Sequence, residues 1–158
     1  MKKSIQIICT ILLIGFSSCK KTINYHPEWD VPLPESVSAK VDGNAFESTA
    51  TSAVLYTSAG NLLQIVGERS GVVFNLSLSA YHGVGDYVVS TTGAYLTYSE
   101  NTSSLASSWV AQSGTVKITT VNENRVTGTF SFIGTDIAGN GTSKTISEGK
   151  FSVTYTSL

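Results

Sequence analysis

Apolar and polar residues alternate with a period of two along most of the chain beyond position 36. In the segment 72–80 every second residue from Phe74 to Ala80 is apolar, and the residues between them are Asn or Ser. The segments 125–134 and 144–155 show the same alternation. Successive side chains of a β-strand point to opposite faces, so this pattern predicts strands with one buried and one exposed face.

Gly, Asn and Asp residues separate the apolar segments and mark the turns. Asp42-Gly43-Asn44 is the strongest reversal signal, and Ser58–Asn61 is a second one. The polar stretch Asp136–Ser143 between the last two strands predicts a hairpin with a long loop. The other predicted strands cover 36–46, which the first turn divides in two, 52–56, 62–68, 86–90, 94–98 and 114–121.

Short strands with a turn signal about every ten residues predict an all-β fold. One-sided alternation argues against a parallel sheet, whose strands are apolar on both faces. We therefore expect an antiparallel β-sandwich or flattened barrel of about nine or ten strands, and the pattern alone does not distinguish the two. The predicted β domain is single and covers residues 36–158.

Residues 99–113 do not follow the alternation. The part from Ser99 to Ser108 is poor in apolar residues and rich in hydroxyls, so we expect a long exposed loop before Trp109. Such loops often carry binding residues.

The first nineteen residues have the features of a secretory leader. Lys2 and Lys3 precede an apolar run from Ile5 to Phe16, and small residues then lead to Cys19. The run is shorter than the roughly twenty residues that a membrane-spanning helix needs. Residues 1–18 are therefore predicted to be a signal peptide that is removed.

The end of the leader, Phe16-Ser-Ser-Cys19, resembles a bacterial lipobox. The resemblance implies that Cys19 carries lipid and becomes the new N-terminus, and several acyl chains anchor a protein durably. The alternative is an ordinary secreted protein. No Asp follows Cys19, which favours the outer membrane over the inner one, while the face of the membrane stays open. Residues 19–35 hold all three prolines and are predicted to be an extended tether.

The composition limits the partners and the covalent cross-links that we expect for the domain. Only 13% of the residues are charged and the formal net charge is −1, so the composition does not suggest a nucleic-acid partner, which needs a clustered basic surface. Both cysteines, Cys9 and Cys19, lie in the leader, so the domain has neither a disulfide nor a thiol. Its stability must come from an apolar core.

The turn and core motifs together resemble a known group of proteins. Val41–Phe46, Gly83–Tyr87, Ser113–Thr119, Val126–Phe132 and Ile146–Phe151 are similar to segments of small Bacteroidota lipoproteins that carry a β-rich domain of unknown function. The resemblance covers most of the chain after the leader. It implies a fold and an anchor, and it supplies no catalytic residues.

The sequence carries no strong motif for catalysis, a cofactor or a metal. Gly83-Val-Gly85 lies between two predicted strands, so it predicts a turn and not a phosphate-binding loop. His26 and His82 lack metal-ligand spacing, and Asp136 is isolated from other carboxylates. There is no nucleophile motif. We therefore expect no enzyme activity, no cofactor and no metal.

Aromatic residues outside the core face are the remaining candidates for a binding site. Tyr95 and Tyr98 are three positions apart, so a strand points them to opposite faces. Tyr81, Tyr87 and Trp109, from neighbouring loops, could extend an aromatic patch suited to a glycan or a peptide. The alternative is that these rings fill the core and its edges. The candidate ligand contacts are Tyr95, Tyr98, Trp109, Tyr81 and His82.

Three functional hypotheses follow. The first is a lipid-anchored outer-membrane domain without enzyme activity that binds a ligand, such as a glycan, or a partner protein. The second is a structural domain that docks another envelope component by a sheet edge or its loops. The third is an enzyme inhibitor or a minor hydrolase. An exposed aromatic cluster favours the first hypothesis, an open strand edge the second, and acids around His82 the third.

Overall fold

The computed structural model describes residues 34–158, so the predicted signal peptide, Cys19 and the tether up to residue 33 lie outside the described part. The all-β prediction is confirmed: residues 34–158 form eleven strands in one sheet, where about nine or ten were expected, and one turn of 3₁₀ helix at Leu105–Ser107. The strands are β1 Ser36–Val41, β2 Asn44–Glu47, β3 Ala50–Tyr56, β4 Leu62–Arg69, β5 Val72–Leu78, β6 Gly85–Val88, β7 Ala94–Ser99, β8 Ser108–Asn122, β9 Arg125–Asp136, β10 Ser143–Thr154 and β11 Thr156–Ser157.

The sheet curls back on itself into a flattened barrel. Its strand order is β11-β3-β4-β5-β7-β8-β9-β10-β1-β2, and β6 pairs with β8 beside β7. Only Ser48 and Thr49 separate β2 and β3, which lie near opposite ends of this order. The N–H of Ser48 donates to Val37 in β1 at 2.9 Å, and the N–H of Thr49 donates to Glu68 in β4 at 2.8 Å. These two residues therefore form a corner where the two ends of the sheet meet.

The first hairpin forms where the sequence predicts it. Asp42 and Gly43 have φ angles of 49° and 85°, the positive values that a type I′ turn requires at both central positions. Val41 pairs with Asn44 across the turn. The two-residue loop fixes the register of β1 against β2.

The core fills the inside of the curled sheet. Phe74 of β5 is fully buried at its centre, and its ring lies 4.8 Å from the ring of Tyr98 and 4.9 Å from that of Phe46. Phe130 and Phe132 of β9 approach it edge-on at 5.7 and 6.5 Å. Tilted and edge-on aromatic pairs of this kind add to the stability gained from burial.

One strand pairing corrects the antiparallel prediction. β11 runs parallel to β3, with Thr156 beside Val54, whereas the other ladders are antiparallel. The N–H of Leu158 extends this pairing by donating to Leu55 at 2.9 Å. β11 has two exposed residues, too few to show an alternation in the sequence.

The loop predicted from Ser99 to Ser108 is close to the observed connection, 100–107, but β8 begins at Ser108, six residues before the strand predicted at 114–121. Trp109 and Ala111 face the core from this strand. A bulge between Ala111 and Ser113 then shifts the alternation by one residue. The buried positions are therefore odd-numbered before the bulge and even-numbered after it. The sequence shows no single alternation across this strand, so its first part was not predicted.

The predicted strand 72–80 ends earlier, at Leu78. Ala80, expected on the core face, is exposed and has a φ of 50°, because the chain turns there. Glu35, assigned to the tether, is instead attached to the domain: its carboxylate accepts from the N–H of Thr154 at 3.0 Å and from the hydroxyl of Thr51 at 3.2 Å.

Candidate functional site

The structure distributes the five candidate ligand residues between the core and the surface. Tyr81, Tyr98 and Trp109 are buried, with 8%, 5% and 6% of their surfaces exposed. Tyr95 is 53% exposed, and His82 is exposed. As expected, Tyr95 and Tyr98 face opposite sides of β7. The buried rings present no free face to solvent and therefore do not form an exposed platform.

Two of these aromatic residues belong to a closed network at one end of the barrel. The rings of Tyr98 and Trp109 stack with centroids 5.7 Å apart, and Nζ of Lys144 lies 5.0 Å from the centroid of the Trp109 ring. A cation in this position is attracted by the electron-rich face of the ring. Trp109 Nε1 donates to the hydroxyl of Thr142 at 3.1 Å.

Two carboxylates complete the surroundings of Lys144. Its Nζ lies 2.9 Å from Glu100 and 3.4 Å from Asp42. The hydrogen bond with Glu100 contributes most to raising the pKa of Lys144. The N–H of Thr145 donates to Asp42 at 2.9 Å, and this bond is the main reason that the pKa of Asp42 is lowered.

We call this network the Lys144 clamp. The hydroxyl of Tyr98 donates to Glu100 at 3.3 Å, and burial, followed by the charge of Glu100, raises the pKa of Tyr98. Because every charge has a partner, the arrangement is suited to holding loops together. Its members are Asp42, Tyr98, Glu100, Trp109 and Lys144.

Asp136, which the sequence shows as isolated, anchors the loop beside the clamp. Its carboxylate accepts from the N–H of Asn140 and of Thr142, both at 2.8 Å, and from the Thr142 hydroxyl at 2.9 Å. These bonds, the one from the Thr142 N–H first, lower the pKa of Asp136. Donors rather than other oxygen ligands surround the carboxylate, which does not suit calcium.

A second aromatic cluster includes His82. The rings of Tyr81 and Tyr87 stack at 6.1 Å, and the Tyr87 hydroxyl donates to Gly83 at 2.8 Å while it accepts from the N–H of His82 at 3.0 Å. The Tyr81 hydroxyl is buried and has no hydrogen-bond partner among residues 34–158, and burial raises the pKa of Tyr81 to about 12. The segment 83–85 leads into β6 and not into a helix, as predicted.

A cluster of charges that is more exposed than the Lys144 clamp lies on the outside of the sheet. Two adjoining grooves of about 370 and 480 Å³ share Glu148 and Lys150, and we call the combined surface the basic groove. β6, β8, β9, β10, β1 and β2 cross it side by side. Their register aligns six residues in one row: Asp86, Lys117, Thr129, Lys150, Ser38 and Glu47.

Basic residues are concentrated there. The described part of the chain has six Lys and Arg residues and nine Asp and Glu residues. The basic groove holds three of the nine acidic residues, and it is the net positive region of an otherwise acidic domain. Four of the six basic residues line it: Lys40, Arg69, Lys117 and Lys150.

Two of these four cations are available to a partner. Lys40 is 2.8 Å from Glu148, and Lys117 is 3.7 Å from Asp86. Arg69 and Lys150 are exposed and form no ion pair within residues 34–158. The groove therefore offers two uncompensated positive charges to an incoming molecule.

The sequence analysis missed the basic groove because its cations lie far apart in the chain, between positions 40 and 150. Only the strand register places them together. Lys117 and Lys150 are polar positions in alternating strands, so the sequence indicates that they point outward. It does not indicate which residues lie next to them on the adjacent strands.

Within 34–158, no group of three or more His, Cys, Asp or Glu side chains could hold a metal ion. No helix in that range is long and apolar enough to cross a membrane.

Comparison with known proteins identifies the domain by family. No curated protein and no solved structure was found to be similar to the chain. The model of one family, described as a domain of unknown function and designated DUF6252, matches residues 34–153, which begin just before β1 and end within β10. The chain therefore belongs to the DUF6252 family.

Proposed function

We propose that this protein is a lipid-anchored outer-membrane protein without enzyme activity, whose β domain docks a protein partner of the cell envelope on the basic groove. The observation that carries the proposal is the concentration of four of the six described basic residues on one surface, where Arg69 and Lys150 have no ion-pair partner within residues 34–158. Charges in such positions steer a partner of opposite charge and select its orientation.

The shape of the surface supports a protein partner over a small ligand. Small-molecule pockets are mostly apolar and enclose their ligand. The basic groove instead extends across six strands and is lined by charged and hydroxyl side chains. Of the Tyr and Trp rings considered for stacking on a glycan, Tyr81, Tyr87, Tyr98 and Trp109 are buried and Tyr95 is exposed. These features favour the docking hypothesis among the three derived from the sequence.

The anchor is proposed from the leader. Lipid on Cys19 would hold the domain at the membrane through the short segment 20–33, so a partner would be met close to the membrane. A Cys19→Ala variant is expected to fold normally and to leave the membrane fraction. If this variant still sediments with membranes after washing in high salt, the lipid anchor is refuted.

The docking proposal is tested with a photo-crosslinking amino acid at position 129, an exposed position in the middle of the row. In native cells we expect a crosslinked adduct with another protein. Arg69→Gln/Lys150→Gln removes two positive charges and should abolish the adduct. The control, Ser58→Glu/Thr102→Glu, changes the net charge by the same amount at exposed sites outside the groove and should keep it. The absence of any adduct, or equal adducts from both variants, would refute the proposal.

A further inference from the structure

The strand β2 has one open edge. It pairs with β1 on one side, and no other described strand pairs with it on the other side. An unpaired edge presents backbone donors and acceptors that another chain can use.

The hydrogen bonds of the first hairpin show which backbone groups are open. The N–H of Ser48 donates to Val37, so these two residues form a hydrogen-bonded pair. Antiparallel pairs alternate between the bonded and the non-bonded type. Ala45, opposite Lys40, and Glu47, opposite Ser38, are therefore non-bonded pairs, and their N–H and C=O groups point away from β1.

The two open residues lie in the basic groove. Ala45 and Glu47 line the smaller part of it together with Arg69 and Lys150. Lys40 lines the same part, but Glu148 already neutralises it at 2.8 Å. The open edge therefore has two available cations beside it and one carboxylate, that of Glu47.

We propose that the open edge of β2 binds an extended, acidic segment of the partner protein, which adds to the sheet as a further strand. Its backbone hydrogen-bonds to Ala45 and Glu47, and its acidic side chains meet Arg69 and Lys150. This inference rests on the docking function proposed above and specifies the partner segment and the way it binds.

Charge argues for a partner segment rather than a second copy of this chain. Two copies paired edge to edge through β2 would bring two sets of Arg69 and Lys150 to the same junction, and their repulsion would oppose the contact. An acidic strand removes that repulsion and also compensates the cations.

The test uses the full chain in detergent micelles and two synthetic ten-residue peptides. One peptide alternates Asp and Val, and the other has Lys in place of each Asp. We expect the acidic peptide to slow amide hydrogen exchange at Ala45 and Glu47, measured by NMR, with weaker binding in high salt. The basic peptide should not bind.

Ala45→Pro gives a second measurement, because it removes an N–H at the open edge and takes no bond from β1, and proline is tolerated on edge strands. Its affinity for the acidic peptide should fall about tenfold, the effect of losing one peptide hydrogen bond. The control Ala45→Ser keeps the N–H and should bind as the parent does. If Ala45→Pro fails to fold, the exchange data on the parent chain decide.

Three outcomes would overturn the inference. Binding of the acidic peptide without protection of the amides of Ala45 and Glu47 would refute strand addition, while the crosslinking result would still support docking. Failure of the acidic peptide to bind would refute the preference for an acidic segment. Protection of the same amides without peptide, rising with protein concentration, would identify a second copy as the occupant.

Discussion

Lys144 and Lys150 lie six residues apart on β10 and show two opposite uses of a lysine. Lys144 has 23% of its side chain exposed, lies between Glu100 and Asp42, and covers the ring of Trp109. Lys150 is exposed and has no ion-pair partner in residues 34–158. The charge of Lys144 is neutralised by contacts inside the protein, whereas the charge of Lys150 is available to a partner.

A bulge in β10 causes this difference. Residues six positions apart on a regular strand face the same side. The register of β10 against β9 shifts between Ile146 and Gly149, and Glu148 has a φ of 51°. Lys144 therefore shares the inner side with Ile146, while Lys150 points outward between buried Gly149 and Phe151. Bulges commonly redirect a side chain in this way.

The largest expected effect concerns Asp136, which anchors the loop beside the Lys144 clamp. Asp136→Ala should lower the melting temperature by roughly 10 °C, because it removes the buried carboxylate that accepts from two N–H groups and one hydroxyl of the loop. The matched control is Asp86→Ala in the basic groove, where the pair with Lys117 is exposed and 3.7 Å long. This control should shift the melting temperature by no more than about 2 °C. Equal shifts, measured by calorimetry, would contradict the distinction between the two regions.

A smaller effect is expected from the two lysines themselves. Lys144→Met should reduce the free energy of unfolding by about 1–2 kcal/mol, because it removes the cation from the Trp109 ring and leaves Glu100 and Asp42 close together. Lys150→Met should change it by less than about 0.5 kcal/mol. Urea denaturation of both variants measures the difference. A destabilisation by Lys150→Met as large as that by Lys144→Met would show that Lys150 is structural.

The sequence predicted the parts of this molecule that depend on local pattern. Alternation identified the β-class, and Asp42-Gly43 identified the first hairpin, because both signals act over a few residues. The bulges could not be predicted: at Ala111–Ser113 and at Ile146–Gly149 the chain keeps a strand conformation while it changes the parity of buried positions. The Lys144 clamp and the basic groove both depend on that parity and on strand register.

The smallest expected effect is a pH dependence that arises in the closed part of the molecule and not in the basic groove. Asp42 and Asp136 have lowered pKa values, so the stability they add is present above their ordinary pKa near 4 and is lost as pH falls through the lower folded values. Tyr81, Tyr98 and Lys144 have raised pKa values, so their contribution is present below their ordinary values near 10 and is lost as pH rises further, for Tyr81 through about 12.

Stability should therefore be nearly constant between about pH 5 and 9 and should fall on both sides. Urea unfolding across this range should give the same profile for the parent and for Arg69→Gln/Lys150→Gln, because neither Arg69 nor Lys150 has an ion-pair partner within residues 34–158. Lys144→Met should instead show a weaker loss of stability at alkaline pH than the parent, because the variant has lost one of the groups that titrate there. An altered pH profile of the groove variant would mean that Arg69 or Lys150 has a partner in the folded state. The basic groove would then contribute to stability as the Lys144 clamp does.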